Sequence, residues 1–147
     1  MSNFLLWWEQ LKADFITCFI TKDRWRYITR GLGNTLKIAL VSVLLGIAIG
    51  SVVAIVRSAH DKNIHEMRPG PGRTLLKIAN AICKVYLTVI RGTPVMIQLL
   101  IMNFVIFGSV SVNKIIVGGL AFGINSGAYV AEIVRSGIMS IDQGQTE

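Results

Sequence analysis

The chain has 147 residues, of which 52% are hydrophobic and 16% are charged. A soluble domain carries about 25% charged residues, so this composition argues against a soluble globular protein. The net charge of +7 would fit nucleic-acid binding. The basic residues instead lie at the ends of apolar stretches, where membrane proteins place them, so we predict no nucleic-acid partner.

Residues 1–34 form the first predicted element, an amphipathic interfacial segment. Aromatic and aliphatic side chains recur there at helical spacing, interrupted by Glu9, Lys12 and Asp14. Tryptophan and other apolar side chains on one face, with charges on the other, are typical of a helix in the headgroup layer. A helix packed on the rest of the bundle is an equally open interpretation.

Residues 35–57 are predicted to form the first transmembrane helix. Ile38 to Val56 contains no charged residue, and about 20 apolar residues in helical form cross the hydrocarbon core. A small residue recurs at every fourth position: Ser42, Gly46, Gly50, Ala54 and Ser58. We predict a helix-packing face through Gly46 and Gly50, because small side chains let two backbones approach closely. The alternative is that small residues are simply common in membrane helices.

A cytoplasmic loop is predicted over residues 58–73, followed by a long helix over residues 74–112. Pro69 and Pro71, each followed by glycine, would end any helix within the loop. The long helix would include the second transmembrane helix, because Gly92 to Asn113 is uncharged. Its first turns are expected in water or headgroups, with a kink at Pro94.

Residues 115–137 are predicted to form the third transmembrane helix. The four-residue spacing of small residues returns at Gly119, Gly123, Gly127 and Ala131, and we predict a packing face through Gly119 and Gly123. Glu132 and Arg135 follow at a spacing that allows an ion pair on one helix face. The distribution of basic residues narrowly favours an outer N-terminus for a multi-pass protein of the cell membrane.

Nothing in the sequence indicates catalysis or a bound cofactor. Cys18 and Cys83 give no disulfide framework, and His60 and His65 are poorly spaced to share a helix face, so no metal site is predicted. No glycine-rich phosphate-binding loop is present, so the chain is not expected to bind ATP itself.

Four ordered segments resemble the polar amino-acid ABC transporter permeases. Residues 31–57 resemble the first transmembrane helix of that family, and residues 91–99 resemble its Arg-Gly-Thr-Pro segment with the following Gln-Leu. Residues 125–138 are similar to its Asn-Ser-Gly-Ala-Tyr segment, and residues 140–147 match the start of its cytoplasmic EAA coupling loop. The motif residues are Arg91, Gly92, Thr93, Pro94, Gln98, Gly127, Glu132, Arg135 and Gly137.

This resemblance implies an all-α integral membrane protein with the MetI-like ABC permease bundle. The chain would hold the first three of five expected transmembrane helices, with residues 138–147 beginning the coupling loop, and would be an N-terminal fragment. The implied partners are a second permease subunit, identical or different, two ATP-binding subunits that hold ATP and Mg²⁺, and an extracytoplasmic solute-binding protein. The implied function is ATP-driven import of a polar amino acid by alternating access.

Site residues follow from the same resemblance. Asn125, Ser126 and Tyr129 are expected to line the solute route, although hydrogen bonds between helices would explain them as well. Glu132 and Arg135 fit a structural ion pair at the inner face better than a substrate site. The coupling contact with an ATP-binding subunit is assigned to Gly144, Gln145 and Glu147. A membrane scaffold protein, or a channel subunit without ATP coupling, remains an alternative.

Overall fold

The computed structural model describes residues 2–64 and 67–141. Within these ranges all regular structure is helical and no strand is present. The helices are α1 (Ser2–Phe15), α2 (Trp25–Asn63), α3 (Pro71–Gly92), α4 (Val95–Leu100) and α5 (Lys114–Met139). Two π-helical segments, Ile16–Ile20 and Ile101–Ile106, follow α1 and α4, and a 3₁₀ turn covers Thr21–Asp23.

The contacts divide the chain into two compact units, one ending at Lys37 and the other beginning at Ile38. In the first unit, α1 exposes most of its aromatic side chains, and Trp7 is 55% exposed. The rings of Phe15 and Phe19 stack with centroids 4.7 Å apart. Exposed aromatic residues on a short helix are compatible with the predicted interfacial position, which stays a prediction.

In the second unit, α2 and α5 pack along their rows of small residues. A Cβ atom on Gly46 would lie 2.7 Å from Oγ of Ser126, and one on Gly50 would lie 2.6 Å from Cβ of Val130. From the other side, a Cβ atom on Gly123 would lie 2.8 Å from Cβ of Leu45. The contacting positions rise together along both helices, so α2 and α5 run parallel and glycine permits their close approach.

Gly119 and Gly127 belong to the same contact face. A Cβ atom on Gly119 would lie 2.9 Å from Cγ1 of Val41, and one on Gly127 would lie 3.0 Å from the hydroxyl of Tyr86. The carbonyl of Gly119 also accepts a 3.3 Å hydrogen bond from Ser42 Oγ. The rows therefore hold α2 against α5, with α3 added through Tyr86.

The predicted continuous helix over residues 74–112 is wrong, because α3 and the helical segment Val95–Ile106 meet at an angle of 104°. Thr93 is extended, with φ −115° and ψ 139°, and Pro94 has ψ 135°. Proline has no N–H group for the helix ladder and pushes the preceding residue out of the helical region. The expected kink is therefore a complete break, and the second helical segment ends at Ile106.

The other helix ends also differ from the predicted ones. α2 begins at Trp25 and ends at Asn63, so it extends beyond both ends of the predicted span over 35–57 and into the predicted loop over 58–73. Hydropathy marks where lipid can begin, whereas the helix continues through flanking residues that contain no proline. α3 begins at Pro71, a favoured first helical residue. α5 begins one residue early, after Asn113 caps it by accepting from the Ile115 N–H at 2.9 Å.

Within the described residues, α2 and α5 are long and apolar enough to cross a membrane, and the bent pair α3 and Val95–Ile106 gives a third crossing if counted as one span. The segment 95–106 runs beside α5. Leu100 and Phe104 line one cavity together with Val117 and Gly118.

Candidate functional site

A cluster of charged side chains lies where α2, α3 and α5 meet. Glu132 of α5 accepts a short hydrogen bond from the guanidinium of Arg57 on α2. The same Glu132 oxygen lies 3.7 Å from Nη1 of Arg91 on α3. One carboxylate therefore joins three helices, and because its side chain is only 28% exposed, solvent screens these contacts less than at a free surface.

A second ion pair extends the cluster by one helical turn. Arg135 of α5 donates to Oδ2 of Asp61 on α2 from Nε at 3.0 Å and from Nη2 at 2.5 Å. The predicted pair of Glu132 and Arg135 is present only as a 3.8 Å contact. The sequence spacing predicted this longer contact, because spacing within α5 cannot show that the nearer partners of Glu132 and Arg135 lie on α2.

A cavity of about 520 Å³ opens beside the charged cluster. Its lining residues are Arg57, Lys84, Leu87, Thr88, Arg91, Gly92, Tyr129 and Glu132. The guanidinium carbon of Arg91 lies 5.6 Å from the ring centroid of Tyr129, a cation–π distance. Cations outnumber carboxylates in this lining, so the cavity offers donors to an anionic group while Glu132 offers an acceptor to a cationic one.

Side-chain hydrogen bonds satisfy backbone carbonyls at the break between α3 and α4. The carbonyl of Ile90 would normally accept from the N–H four residues later, but that residue is Pro94. Gln98 supplies the missing donor, with Nε2 2.7 Å from the Ile90 oxygen. Thr93 Oγ1 donates to the Val89 oxygen at 2.9 Å. The spacing of threonine, proline and glutamine in this motif therefore has a structural reason.

Hydrogen bonds also tie the break to α5. Asn125 Nδ2 donates to Oε1 of Gln98 at 3.2 Å, and the hydroxyl of Tyr86 donates to the Ile124 carbonyl at 2.6 Å. Asn125 thus bridges two helices, as the alternative interpretation of this residue predicts. Asn125 of α5 therefore contacts Gln98 of α4, and Gln98 in turn contacts Ile90 near the end of α3.

The three predicted pathway residues lie in different surroundings. Asn125 contacts Gln98, Ser126 packs against Gly46, and Tyr129 lines the charged cavity. Of these three residues the structure therefore brings only Tyr129 to the cavity, together with three predicted motif residues, Arg91, Gly92 and Glu132.

Other sequence-based residues have simpler settings. A Cβ atom on Gly92 or Gly137 would meet no atom within 4 Å, so neither is required by close packing in this chain. The predicted coupling residues Gly144, Gln145 and Glu147 lie outside the described residues. In the described part of the chain, no group of three or more histidine, cysteine or acidic residues is placed to hold a metal ion.

Sequence reasoning did not select Arg57, Asp61 and Lys84 as site residues. Arg57 and Asp61 lie at the C-terminal end of the small-residue row of α2, as Glu132 and Arg135 lie at the C-terminal end of the row of α5. Two parallel helices in this register bring those charges together. The sequence feature that could have identified Arg57 and Asp61 is that both rows of small residues end among charged residues. This feature indicates a site only when the two helices are known to be parallel.

No protein-family model matches the chain. It is 37% identical over 124 residues to a protein of Rickettsia conorii (strain ATCC VR-613 / Malish 7) that is named for glutamine transport, the permease protein GlnP. That similarity covers 82% of this chain and 50% of the relative. It is also 35% identical over 123 residues to the arginine transport system permease protein ArtQ of Bacillus subtilis (strain 168), covering 82% of this chain and 49% of ArtQ.

A solved structure shows the same fold. It is the crystal structure of an amino acid ABC transporter with histidines, with a TM-score of 0.61 and 29% sequence identity. The match covers 84% of this chain and 52% of the solved chain. The chain thus spans about half the length of the relatives it matches. It is an all-α integral membrane protein, homologous to the permease proteins of amino-acid ABC transporters.

Proposed function

We propose that the chain is part of the membrane permease of an ATP-driven importer of polar amino acids. It contributes helices to the translocation pathway and is not itself an enzyme. ATP and Mg²⁺ are bound and ATP is hydrolysed in separate ATP-binding subunits. A second permease subunit completes the pathway, and an extracytoplasmic solute-binding protein delivers the amino acid.

The observation that carries this proposal is the similarity to amino-acid permeases over most of the chain. Relatives named for glutamine and arginine transport match 82% of it at 35–37% identity. Three of the four family segments lie wholly or largely within the described residues. Arg91 and Glu132, from two of these segments, line one cavity. This arrangement supports a role for the motifs as one site.

The charged cavity is proposed as part of the solute route. A polar amino acid carries a carboxylate and an ammonium group, so its route needs cationic and anionic side chains within reach of each other. Arg91 and Lys84 supply the first, Glu132 supplies the second, and Tyr129 supplies a ring face and a hydroxyl. Ionisable residues in membrane helices generally face such a cavity rather than lipid.

Asn125 and Ser126 receive a different proposal. Their contacts with Gln98 and with Gly46 support a role in holding α5 against its neighbours. A rigid α5 would move as one body when the ATP-binding subunits close, which alternating access requires. Gly144, Gln145 and Glu147 are proposed to contact the ATP-binding subunit.

Co-purification tests the partnership. The gene product that contains this chain, expressed with the ATP-binding subunit encoded in the same genome, should elute with it from a size-exclusion column in detergent. Glu147→Arg should weaken that association without changing the helical content measured by circular dichroism. Glu9→Arg is the matched control, because Glu9 is an exposed α1 residue outside the proposed contact.

Two results would count against the proposal. An ATP-binding subunit that never co-elutes would remove the partnership itself. Equal association by the Glu147→Arg variant and the wild type would remove the assigned coupling residue while leaving the family assignment intact.

A further inference from the structure

The helix α3 has three distinct faces. One face packs on the bundle through Asn80 and Leu87, which are 4% and 5% exposed. A second face is apolar and exposed, with Leu75, Ile78, Ile82, Val85 and Val89 between 53% and 68% exposed. We call these five residues the apolar stripe. The third face carries the basic residues Arg73, Lys77, Lys84 and Arg91, and α3 contains no acidic residue.

The surroundings of α3 differ on its two free sides. Lys84, Thr88 and Arg91 line the charged cavity near the ends of α2 and α5. On the other side, Val89 lines an apolar cavity of about 280 Å³ with Ile97, Ile101 and Ala121. This cavity lies nearer to the N-terminal end of α5 than the charged cavity does. Lys84 and Arg91 of the basic face therefore point towards the polar end of the bundle, and Val89 of the apolar stripe points towards its apolar middle.

The bend sets the direction of α3. Residues 95–106 run beside α5, an apolar helix long enough to cross a membrane, and α3 is turned by 104° from them. Because α5 sets the direction of crossing, a helix turned this far from a segment that runs beside α5 lies close to the membrane plane. An amphipathic helix in that plane, with basic residues on its polar side, matches the helices that bind at lipid headgroups.

We propose that α3 lies in the headgroup layer, with its apolar stripe among the acyl chains and with Arg73 and Lys77, the basic residues outside the charged cavity, bound to anionic phospholipid. The charge of α3 is complementary to the phosphate groups of such lipids, and each basic residue near a charged membrane surface adds to the attraction. Lipid is the occupant we assign to the stripe, in preference to a protein, because the bend directs the stripe into the hydrocarbon layer. This inference requires membrane insertion but not amino-acid transport.

Site-directed spin labelling tests the position of the stripe. The full chain, with Cys18→Ser and Cys83→Ala as background, is placed in nanodiscs of phosphatidylcholine and phosphatidylglycerol. Single nitroxide labels are introduced at Ile82 and Val85 in the stripe and at Lys77 on the basic face. The proposal expects labels at Ile82 and Val85 to collide mainly with oxygen, and a label at Lys77 to collide mainly with a water-soluble nickel chelate.

Lipid selectivity tests the basic face. Spin-labelled phosphatidylglycerol should bind the wild-type chain more tightly than spin-labelled phosphatidylcholine. The double variant Arg73→Gln/Lys77→Gln should lower that preference by about two- to five-fold. Arg73→Lys/Lys77→Arg should keep it, and Lys114→Gln, at the start of α5, should leave it unchanged as the matched control.

Four results would overturn the proposal. Labels at Ile82 and Val85 that are immobile and inaccessible to both reagents would mean that protein covers the stripe. Labels there that collide mainly with the nickel chelate would place the stripe in water. Equal binding of the two lipids by the wild-type chain would refute the binding of anionic phospholipid. An unchanged lipid preference in a correctly folded glutamine variant would also refute it.

Discussion

Arg135 of α5 donates two hydrogen bonds to one oxygen of Asp61 on α2, at 3.0 and 2.5 Å. These residues are 74 positions apart in the sequence, and the pair closes the end of the α2–α5 contact that begins at the small-residue rows. Both side chains are about one quarter exposed. The pair therefore acts as a link between parallel helices rather than as a surface ion pair.

Breaking this link should destabilise the bundle. Asp61→Asn removes the nearer anionic partner of Arg135 and leaves it only the 3.8 Å contact with Glu132. We therefore expect a loss of about 1–3 kcal/mol in the free energy of unfolding. The measurement is a detergent-denaturation curve followed by circular dichroism. The control Glu9→Gln breaks an exposed bond to Lys12 and should cost less than about 0.5 kcal/mol. Equal effects of the two variants would show that Asp61 has no special role.

Glycine at the α2–α5 contact should be far less replaceable than glycine elsewhere on α2. A Cβ atom on Gly50 would lie 2.6 Å from Cβ of Val130 and 3.0 Å from the backbone nitrogen of Ala131. We expect Gly50→Ala to destabilise by about 1–3 kcal/mol, because backbone must move to admit the methyl group. Gly33→Ala, which meets no atom within 4 Å, should be neutral or slightly stabilising. Similar stabilities for both would contradict the packing described here.

Gln98 should be needed for the bend. Gln98→Leu removes the donor that replaces the missing N–H of Pro94 and also leaves Asn125 without its partner. We expect a loss of about 1–2 kcal/mol in unfolding free energy. The distance between spin labels on α3 and α5 should also broaden, as measured by pulsed electron resonance. Gln10→Leu, on the exposed surface of α1, is the control, and an unchanged distance distribution in Gln98→Leu would refute this role.

Much of this architecture could be predicted from the sequence. The uncharged stretches identified the apolar helices, and the four-residue spacing of Gly46 and Gly50 marked residues that the structure places against α5. Helix ends were less accessible, because α2 continues to Asn63 through polar residues that hydropathy assigns to a loop. The size of the bend at Pro94 depends on tertiary contacts such as Gln98 with Ile90, which proline alone does not specify.

The candidate site was only partly predictable for a related reason. Spacing within one helix pairs Glu132 with Arg135, but their nearer partners are Arg57 and Asp61 on another helix. Such contacts depend on the direction and register of two helices far apart in the sequence. The resemblance to a permease family marked Arg91 and Tyr129 as motif positions, and the structure adds the cavity that both line.

The ring of Tyr129 should matter more than its hydroxyl. Tyr129→Phe keeps the aromatic face beside Arg91, so we expect near wild-type initial rates of amino-acid uptake by the assembled transporter. Tyr129→Leu removes that face and should lower the rate by about two- to five-fold, the equivalent of about 0.5–1 kcal/mol. Equal losses in the two variants would instead assign the effect to the hydroxyl group.

The central claim is that this chain belongs to the membrane part of an ATP-driven amino-acid importer. The most direct measurement is uptake of radiolabelled glutamine and arginine into proteoliposomes that hold the gene product, its ATP-binding subunits and the solute-binding protein, with ATP inside. The account predicts accumulation of at least one of them that requires ATP and is abolished when the ATP-binding subunit cannot hydrolyse it. Uptake at the same rate without ATP, or none for any polar amino acid in a correctly assembled complex, would contradict it.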